Sequence, residues 1–96
     1  MNNLFKSIDD KFAELGFVKV EENSFGVIYE RADEVFKYNQ VIHLVHKESG
    51  RHIIQSYDKD LFDTKKIGNT CVGLSMYETR LCLKKMKKLG WKRLKI

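Results

Sequence analysis

The sequence has no proline, only two cysteines and no apolar run near the roughly 20 residues that span a membrane. Without proline, no turn or linker is held rigid by a pyrrolidine ring. Cys71 and Cys82 fit neither a CxxC redox motif nor a zinc ribbon, so we expect two reduced thiols. Residues 1–6 lack the apolar segment of a secretory signal. These absences predict a soluble cytoplasmic protein that does not contact a membrane.

The length of 96 residues allows one domain, which we place at 1–96, with one modest core. A chain of this size removes only about 60–68% of its unfolded surface from water. A large internal active-site cavity is therefore not expected. Because 43% of the residues are hydrophobic, the composition is that of a globular domain and not of a disordered segment.

Hydrophobic spacing predicts an α+β fold in the order helix, four strands, long loop, helix. Residues 4–15 repeat apolar side chains at helical spacing, with Asn2 or Asn3 as N-cap and Gly16 as the closing residue. Alternating segments then predict two hairpins that form one four-stranded antiparallel sheet. We expect both helices to cover the same face of this sheet.

The clearest turn signal lies at residues 47–51, where Gly50 fits the left-handed position of a hairpin bulge. If Lys47 faces Arg51, then His46 faces His52, and the same register carries on along both strands. It assigns one set of apolar side chains to the core face of the sheet: Phe36, Tyr38, Ile42, Leu44 and Ile54.

The C-terminal helix begins at a capping box, in which the Ser75 and Glu78 side chains bond each other's backbone N–H groups. We expect it to end at Leu89, with Trp91 packing back and residues 91–96 forming a short edge strand or a flexible basic tail. The preceding residues 58–73 show no regular spacing of apolar side chains, and we predict that they form a long loop. Helical spacing places the apolar stripe on Thr79, Cys82, Leu83, Met86 and Leu89, with Tyr77 and Leu81 beside the basic arc.

Three patterns hint at chemistry, and each is incomplete. Residues 68–75 follow the phosphate-loop pattern, but Leu74 replaces the lysine that contacts the phosphates. Cys71 precedes a helix N-terminus, which can activate a thiol, yet no spacing connects it to a histidine base. His46 opposite His52 offers two metal ligands, whereas a zinc site needs three or four protein ligands. We therefore predict no catalytic, cofactor-binding or metal-binding residue, and a protein that is not an enzyme.

Positive charge is concentrated at one end of the sequence. Residues 80–96 hold eight of the 18 Lys and Arg residues and no acid, a charge of +8, whereas residues 1–79 carry −3. Such a basic helix attracts phosphate backbones, although the same pattern also fits a face that only keeps the protein in solution. The candidate surface for a protein partner or nucleic acid is Arg80, Lys84, Lys87, Lys88, Trp91, Lys92 and Arg93.

Residues 56–62 and 67–74, together with Glu78 and the segment 84–86, resemble small proteins encoded by bacteriophages and prophages of Gram-positive bacteria, whose function is uncharacterised. The resemblance implies a small accessory protein in the cytoplasm of a bacterial host. It carries no activity and no residue roles. It favours binding of a phage or host macromolecule over catalysis.

These observations predict a non-enzymatic accessory protein that binds a macromolecular partner. The alternative is a nucleic-acid-binding protein that uses the basic face of the C-terminal helix. Because lysines outnumber arginines by fourteen to four, such binding should have little sequence preference. No small-molecule substrate is evident, and the sequence leaves the oligomeric state open.

Overall fold

The computed structural model describes residues 6–35, 37–63 and 70–92, and they form the predicted α+β fold. A four-stranded antiparallel sheet carries an N-terminal and a C-terminal helix. The elements in chain order are α1 Ile8–Glu14, β1 Val18–Asn23, β2 Gly26–Asp33, β3 Tyr38–Val45, β4 Ile53–Asp58, α2 Lys59–Asp63 and α3 Met76–Lys88. No helix within these ranges is both long enough and apolar enough to cross a membrane.

The four strands lie side by side in sequence order, and each pairs antiparallel with the next. The predicted register between β3 and β4 is confirmed, because Leu44 pairs with Ile54. Gly50 has a φ of +87°, the left-handed conformation that its place in the hairpin requires. At the same end of the sheet, Gly26 has a φ of +153°, and a Cβ built there would lie 2.1 Å from the Leu44 carbonyl oxygen.

The core lies between one face of the sheet and the helices α1 and α3. Ile42 and Leu44 are fully buried as predicted, and Ile54 packs against them from β4. Tyr38 is half-buried, while Phe36 lies outside the described residues. The buried cluster consists of Phe12, Phe17, Val27, Tyr29, Ile42, Leu44, Leu81 and Cys82.

Helix α1 starts later than the sequence pattern indicated. Ser7 and Asp10 form a capping box, in which the Asp10 N–H donates to Ser7 Oγ at 3.0 Å and the Ser7 N–H donates to Asp10 Oδ2 at 3.1 Å. The prediction of Asn2 or Asn3 as N-cap was wrong, because this local pair fixes the first turn at Ile8. Gly16, with a φ of +94°, follows the helix as expected.

Part of the segment predicted as a long loop before α3 has regular secondary structure. Its first residues form α2, and Asp58 Oδ1 accepts the Asp60 N–H at 3.0 Å. Residues 64–69, which include part of the stretch resembling a phosphate loop, lie outside the described residues. Cys71 then forms a β-bridge with Tyr57, so the chain covers part of the outer edge of β4. Ser75 caps α3 together with Glu78, as predicted.

Candidate functional site

Helix α3 meets the sheet along a different side from the one that hydrophobic spacing indicated. Leu81 is fully buried, although we expected it beside the basic arc, and Leu83 is 54% exposed, although we expected it in the core stripe. The helix is rotated by about a quarter of a turn from the predicted orientation. Its buried side consists of Glu78, Leu81, Cys82 and Lys85.

Two charged residues of α3 determine this rotation. Glu78 is buried against β2, where Arg31 Nη2 lies 3.4 Å from its carboxylate. The Arg31 guanidinium also donates to Gln40 Oε1 at 2.7 Å and lies 4.3 Å above the centre of the Phe17 ring. A buried charge is tolerated only with such partners, and a hydrophobicity pattern cannot anticipate them.

Lys85 is the second inward charge, and it joins α3 to α1 and β1. Its ammonium group lies 3.2 Å from Asp9 and 3.0 Å from Glu22. Lys19 bridges the same two carboxylates, and Tyr29 donates its hydroxyl to Asp9 at 2.6 Å. We call these five residues the ion cluster. Lys85 therefore belongs to the interior, and its charge is not displayed to a partner.

The ion cluster shifts the proton affinities of its members. Partial burial alone would raise the pKa of Asp9, but hydrogen bonds from Tyr29, Lys19 and Lys85 outweigh it and lower the pKa to about 2. The hydrogen bond from Lys85 lowers the pKa of Glu22 in the same way. Burial and the bond to Asp9 raise the pKa of Tyr29. The two carboxylates are therefore ionised near neutral pH, while the Tyr29 hydroxyl keeps its proton.

The basic side chains of the candidate surface that the structure describes face outward. Arg80, Lys84, Lys87 and Lys88 are exposed along α3, and Lys92 is exposed just beyond it. None of these five forms an ion pair with an acidic side chain in the described part of the chain, in contrast to Lys85. The seventh candidate, Arg93, lies outside the described residues.

A groove runs beside these cations, between the C-terminal half of α3 and the start of β4. It forms a cavity of about 400 Å³. Its walls combine apolar side chains with two of the exposed lysines, and they consist of His52, Leu83, Lys84, Met86, Lys87, Gly90 and Trp91. Leu83, which the sequence pattern assigned to the core stripe, thus lines an open groove. Met86 lines the groove as well, but it also packs against the core as predicted.

Trp91, the one candidate aromatic residue, is half-buried and held in place by two histidines. The His46 and His52 rings stack at 4.9 Å, and each lies 5.0 Å from the Trp91 ring. We call these three residues the aromatic triad. The sequence analysis placed the two histidines opposite each other but did not connect them to Trp91, because that contact depends on how α3 docks.

The hydrogen bonds of His52 identify its tautomer and exclude it as a metal ligand in this arrangement. The Lys47 N–H donates to His52 Nδ1 at 3.0 Å, so the ring proton of the neutral form lies on Nε2. Nε2 then donates to the Lys92 carbonyl oxygen at 2.6 Å. Both ring nitrogens are engaged, and no group of three His, Cys, Asp or Glu side chains among the described residues could hold a metal ion.

The second cavity of interest lies at the outer edge of β4 and contains the exposed thiol of Cys71. Its volume is about 800 Å³, and His43 also lines it. In the sheet register, His43 pairs with Gln55, while Cys71 pairs with Tyr57. Two strand spacings and two residues along the strand separate the two Cα atoms by about 12 Å. That separation is too large for the thiol–imidazole hydrogen bond that would activate a nucleophile.

Comparison with protein-family models, with curated proteins and with solved structures finds no match to this chain. The candidate surface is therefore argued from its own residues. Its two components are the exposed cations of α3 and the groove that borders them.

Proposed function

We propose that this chain is a small non-enzymatic accessory protein that binds a macromolecular partner, and that the partner is nucleic acid. The observation that carries the proposal is the row of exposed cations on α3. Arg80, Lys84, Lys87 and Lys88 continue into Lys92 without an acidic partner in the described ranges. The resemblance to phage and prophage proteins agrees with an accessory role in a bacterial cytoplasm.

Because these cations have no acidic partner among the described residues, a polyanionic partner is favoured. Where the fold uses a lysine of α3 for its own stability, as with Lys85, two carboxylates neutralise it. The outward cations keep their charge available for phosphate groups, whose counterions are released on binding. Lysine supplies charge without the forked geometry that reads base edges, so we expect binding with little sequence preference.

The number of exposed cations sets the expected salt dependence. Five phosphate contacts give a slope of about −3.5 for single strands and about −4.5 for duplexes in a plot of log affinity against log salt. Raising the salt from 50 to 200 mM should therefore weaken binding by about 100- to 500-fold. Fluorescence anisotropy with labelled DNA and RNA of mixed sequence measures this slope directly.

A charge-reversal pair tests whether α3 is the binding surface. We expect Lys84→Glu combined with Lys87→Glu to weaken binding by more than tenfold and to reduce the salt slope. The control is Lys11→Glu combined with Lys37→Glu, which changes the net charge by the same amount. Lys11 lies on α1, and Lys37 lies just before β3, at the opposite end of the sheet. Equal losses in both double variants would mean that only net charge matters, and the proposal would fail.

Binding of a protein partner is the other outcome of interest. Capture of partners from a bacterial lysate, with and without nuclease, separates the two. Recovery of mixed nucleic acid that disappears after nuclease supports the proposal. Recovery of one protein that survives nuclease, together with no retention of DNA or RNA by the purified chain, contradicts it.

A further inference from the structure

The groove beside the exposed cations has the composition of a binding site and not of a core defect. Its volume of about 400 Å³ lies in the range of small-ligand pockets, about 300–1,000 Å³. Leu83 is 54% exposed at its rim, and Trp91 is half-buried in its wall. Lys84 and Lys87 lie on the same wall and bring two positive charges to an otherwise apolar surface.

Contacts within the fold hold the aromatic wall of the groove in place. The backbone N–H of Trp91 donates to the Met86 carbonyl oxygen at 3.2 Å, which fixes the backbone after α3. The His46–His52 stack supports the indole ring, and the two bonds of His52 hold that stack against Lys47 and Lys92. A ring that is already ordered loses little conformational entropy when a partner stacks on it.

The occupant that suits such a wall is flat, apolar on its faces and flanked by negative charge. An unpaired base between two phosphates meets all three requirements, and base stacking on an aromatic side chain needs no particular base. Lys84 and Lys87 lie about one helical turn apart at the rim, so their ammonium groups can reach phosphates on either side of the base. A duplex keeps its bases stacked inside and can use only the cations.

We propose that the groove between α3 and β4 is a stacking site for one unpaired base of single-stranded nucleic acid. In this arrangement Trp91 contacts the base, while Lys84 and Lys87 contact the adjoining phosphates. The inference rests on the proposed function and makes it more specific, since it assigns the protein to single strands. It also gives His46 and His52 a role as positioning residues, because they hold the Trp91 ring.

The indole of Trp91 reports on its own groove, because it is the only tryptophan in the chain. Stacking of a base on the ring should quench its fluorescence. The probes are a 12-residue oligothymidylate, a 12-base-pair duplex and poly-glutamate, each titrated at 50 mM salt. We expect the oligothymidylate to quench the emission and the duplex to bind through the cations with little quenching.

Two substitutions separate the stacking contact from the cations. Trp91→Leu keeps an apolar side chain against the core but removes the indole ring, and we expect it to weaken oligothymidylate binding about 10- to 100-fold. Duplex binding should change by less than about twofold. Tyr77→Ala removes an aromatic ring that is exposed on α3 and does not line the groove, and we expect no loss of binding. Anisotropy of labelled oligonucleotides measures the affinity of the parent protein and of both variants, and far-UV circular dichroism verifies that all three are folded.

The possible results distinguish the two proposals. Equal binding of single strands and duplex, with no quenching and no effect of Trp91→Leu, overturns the stacking site but leaves nucleic-acid binding intact. Absence of binding to either nucleic acid overturns both. Quenching by poly-glutamate without any nucleic-acid binding assigns the groove to an acidic peptide and also overturns both.

Discussion

Replacing Asp9 with asparagine should destabilise the protein at neutral pH and have almost no effect near pH 2. The Asp9 carboxylate accepts hydrogen bonds from Tyr29, Lys19 and Lys85, which hold its pKa at about 2 instead of 3.8. At about 1.4 kcal/mol per pKa unit, this difference corresponds to about 2–3 kcal/mol. Because the side chain is 32% exposed, water screens part of the interaction, and we expect a loss of about 1–2 kcal/mol.

The sign of the pH dependence follows from the lowered pKa. A carboxyl that binds its proton more weakly in the folded state stabilises the fold above its unfolded pKa, which is 3.8 for Asp9. That contribution is lost as the pH falls from there towards 2, where Asp9 becomes neutral like the asparagine. The difference in stability between the two proteins should therefore be constant from pH 7 to about pH 5 and shrink below it.

Urea unfolding followed by Trp91 fluorescence provides the free energy of unfolding at each pH. Glu21→Gln is the matched control, because it also removes one carboxylate but from an exposed position on β1. We expect the control to stay within about 0.5 kcal/mol of the parent throughout. A stability gap for Asp9→Asn that is absent at pH 7, or that persists unchanged at pH 2.5, would refute the account of the ion cluster.

Two further predictions concern the thiols and the glycines. A thiol reagent should label the exposed Cys71 in the native protein but reach Cys82 only on unfolding, because Cys82 is buried and its thiol pKa is raised to about 12. Rapid labelling of both thiols would contradict the assignment of Cys82 to the core. Gly26→Ala should cost about 3 kcal/mol or more in urea unfolding, since its Cβ would collide with the Leu44 carbonyl oxygen. Gly90→Ala has open space and a φ of +74°, so it should cost only about 1–2 kcal/mol, and equal losses at the two positions would disprove the steric argument.

The parts of the fold that could be predicted from the sequence depend on neighbours along the chain. The β3–β4 register followed from Gly50, and the start of α3 followed from the Ser75–Glu78 pair. In both cases the residues that determine the geometry lie within a few positions of each other. The late start of α1 was not predicted although its cause is equally local, because Leu4 and Phe5 continue the helical spacing of apolar residues past the Ser7–Asp10 pair.

The orientation of α3 could not be predicted in the same way. It depends on Arg31 and Asp9, which lie far from Glu78 and Lys85 in the sequence but adjoin them in the fold. A hydrophobicity pattern assigns a lysine to the surface unless its partners are known. The exposed cations were nevertheless identified correctly, because their positions remain outward after the helix is rotated by a quarter of a turn.

The same limit explains what was missed in the candidate site. Trp91 was included in the candidate surface after α3, and the pairing of His46 with His52 was predicted from the hairpin. Their union into one aromatic triad requires the end of α3 to reach the start of β4. The sequence held one usable signal for this contact, namely an aromatic residue directly after the helix-ending Gly90.

The contact between Lys85 and Asp9 also has a consequence for how the chain folds during synthesis. The two residues are 76 positions apart, whereas every strand of the sheet pairs with its immediate successor. The hairpins can therefore form while the chain is still emerging from the ribosome, because loops of short length close at low entropic cost. Asp9, Lys19, Glu22 and Tyr29 can likewise meet as soon as the first hairpin forms against α1, whereas Lys85 joins them only when α3 has been translated. The last helix made therefore completes a cluster that the first helix has begun.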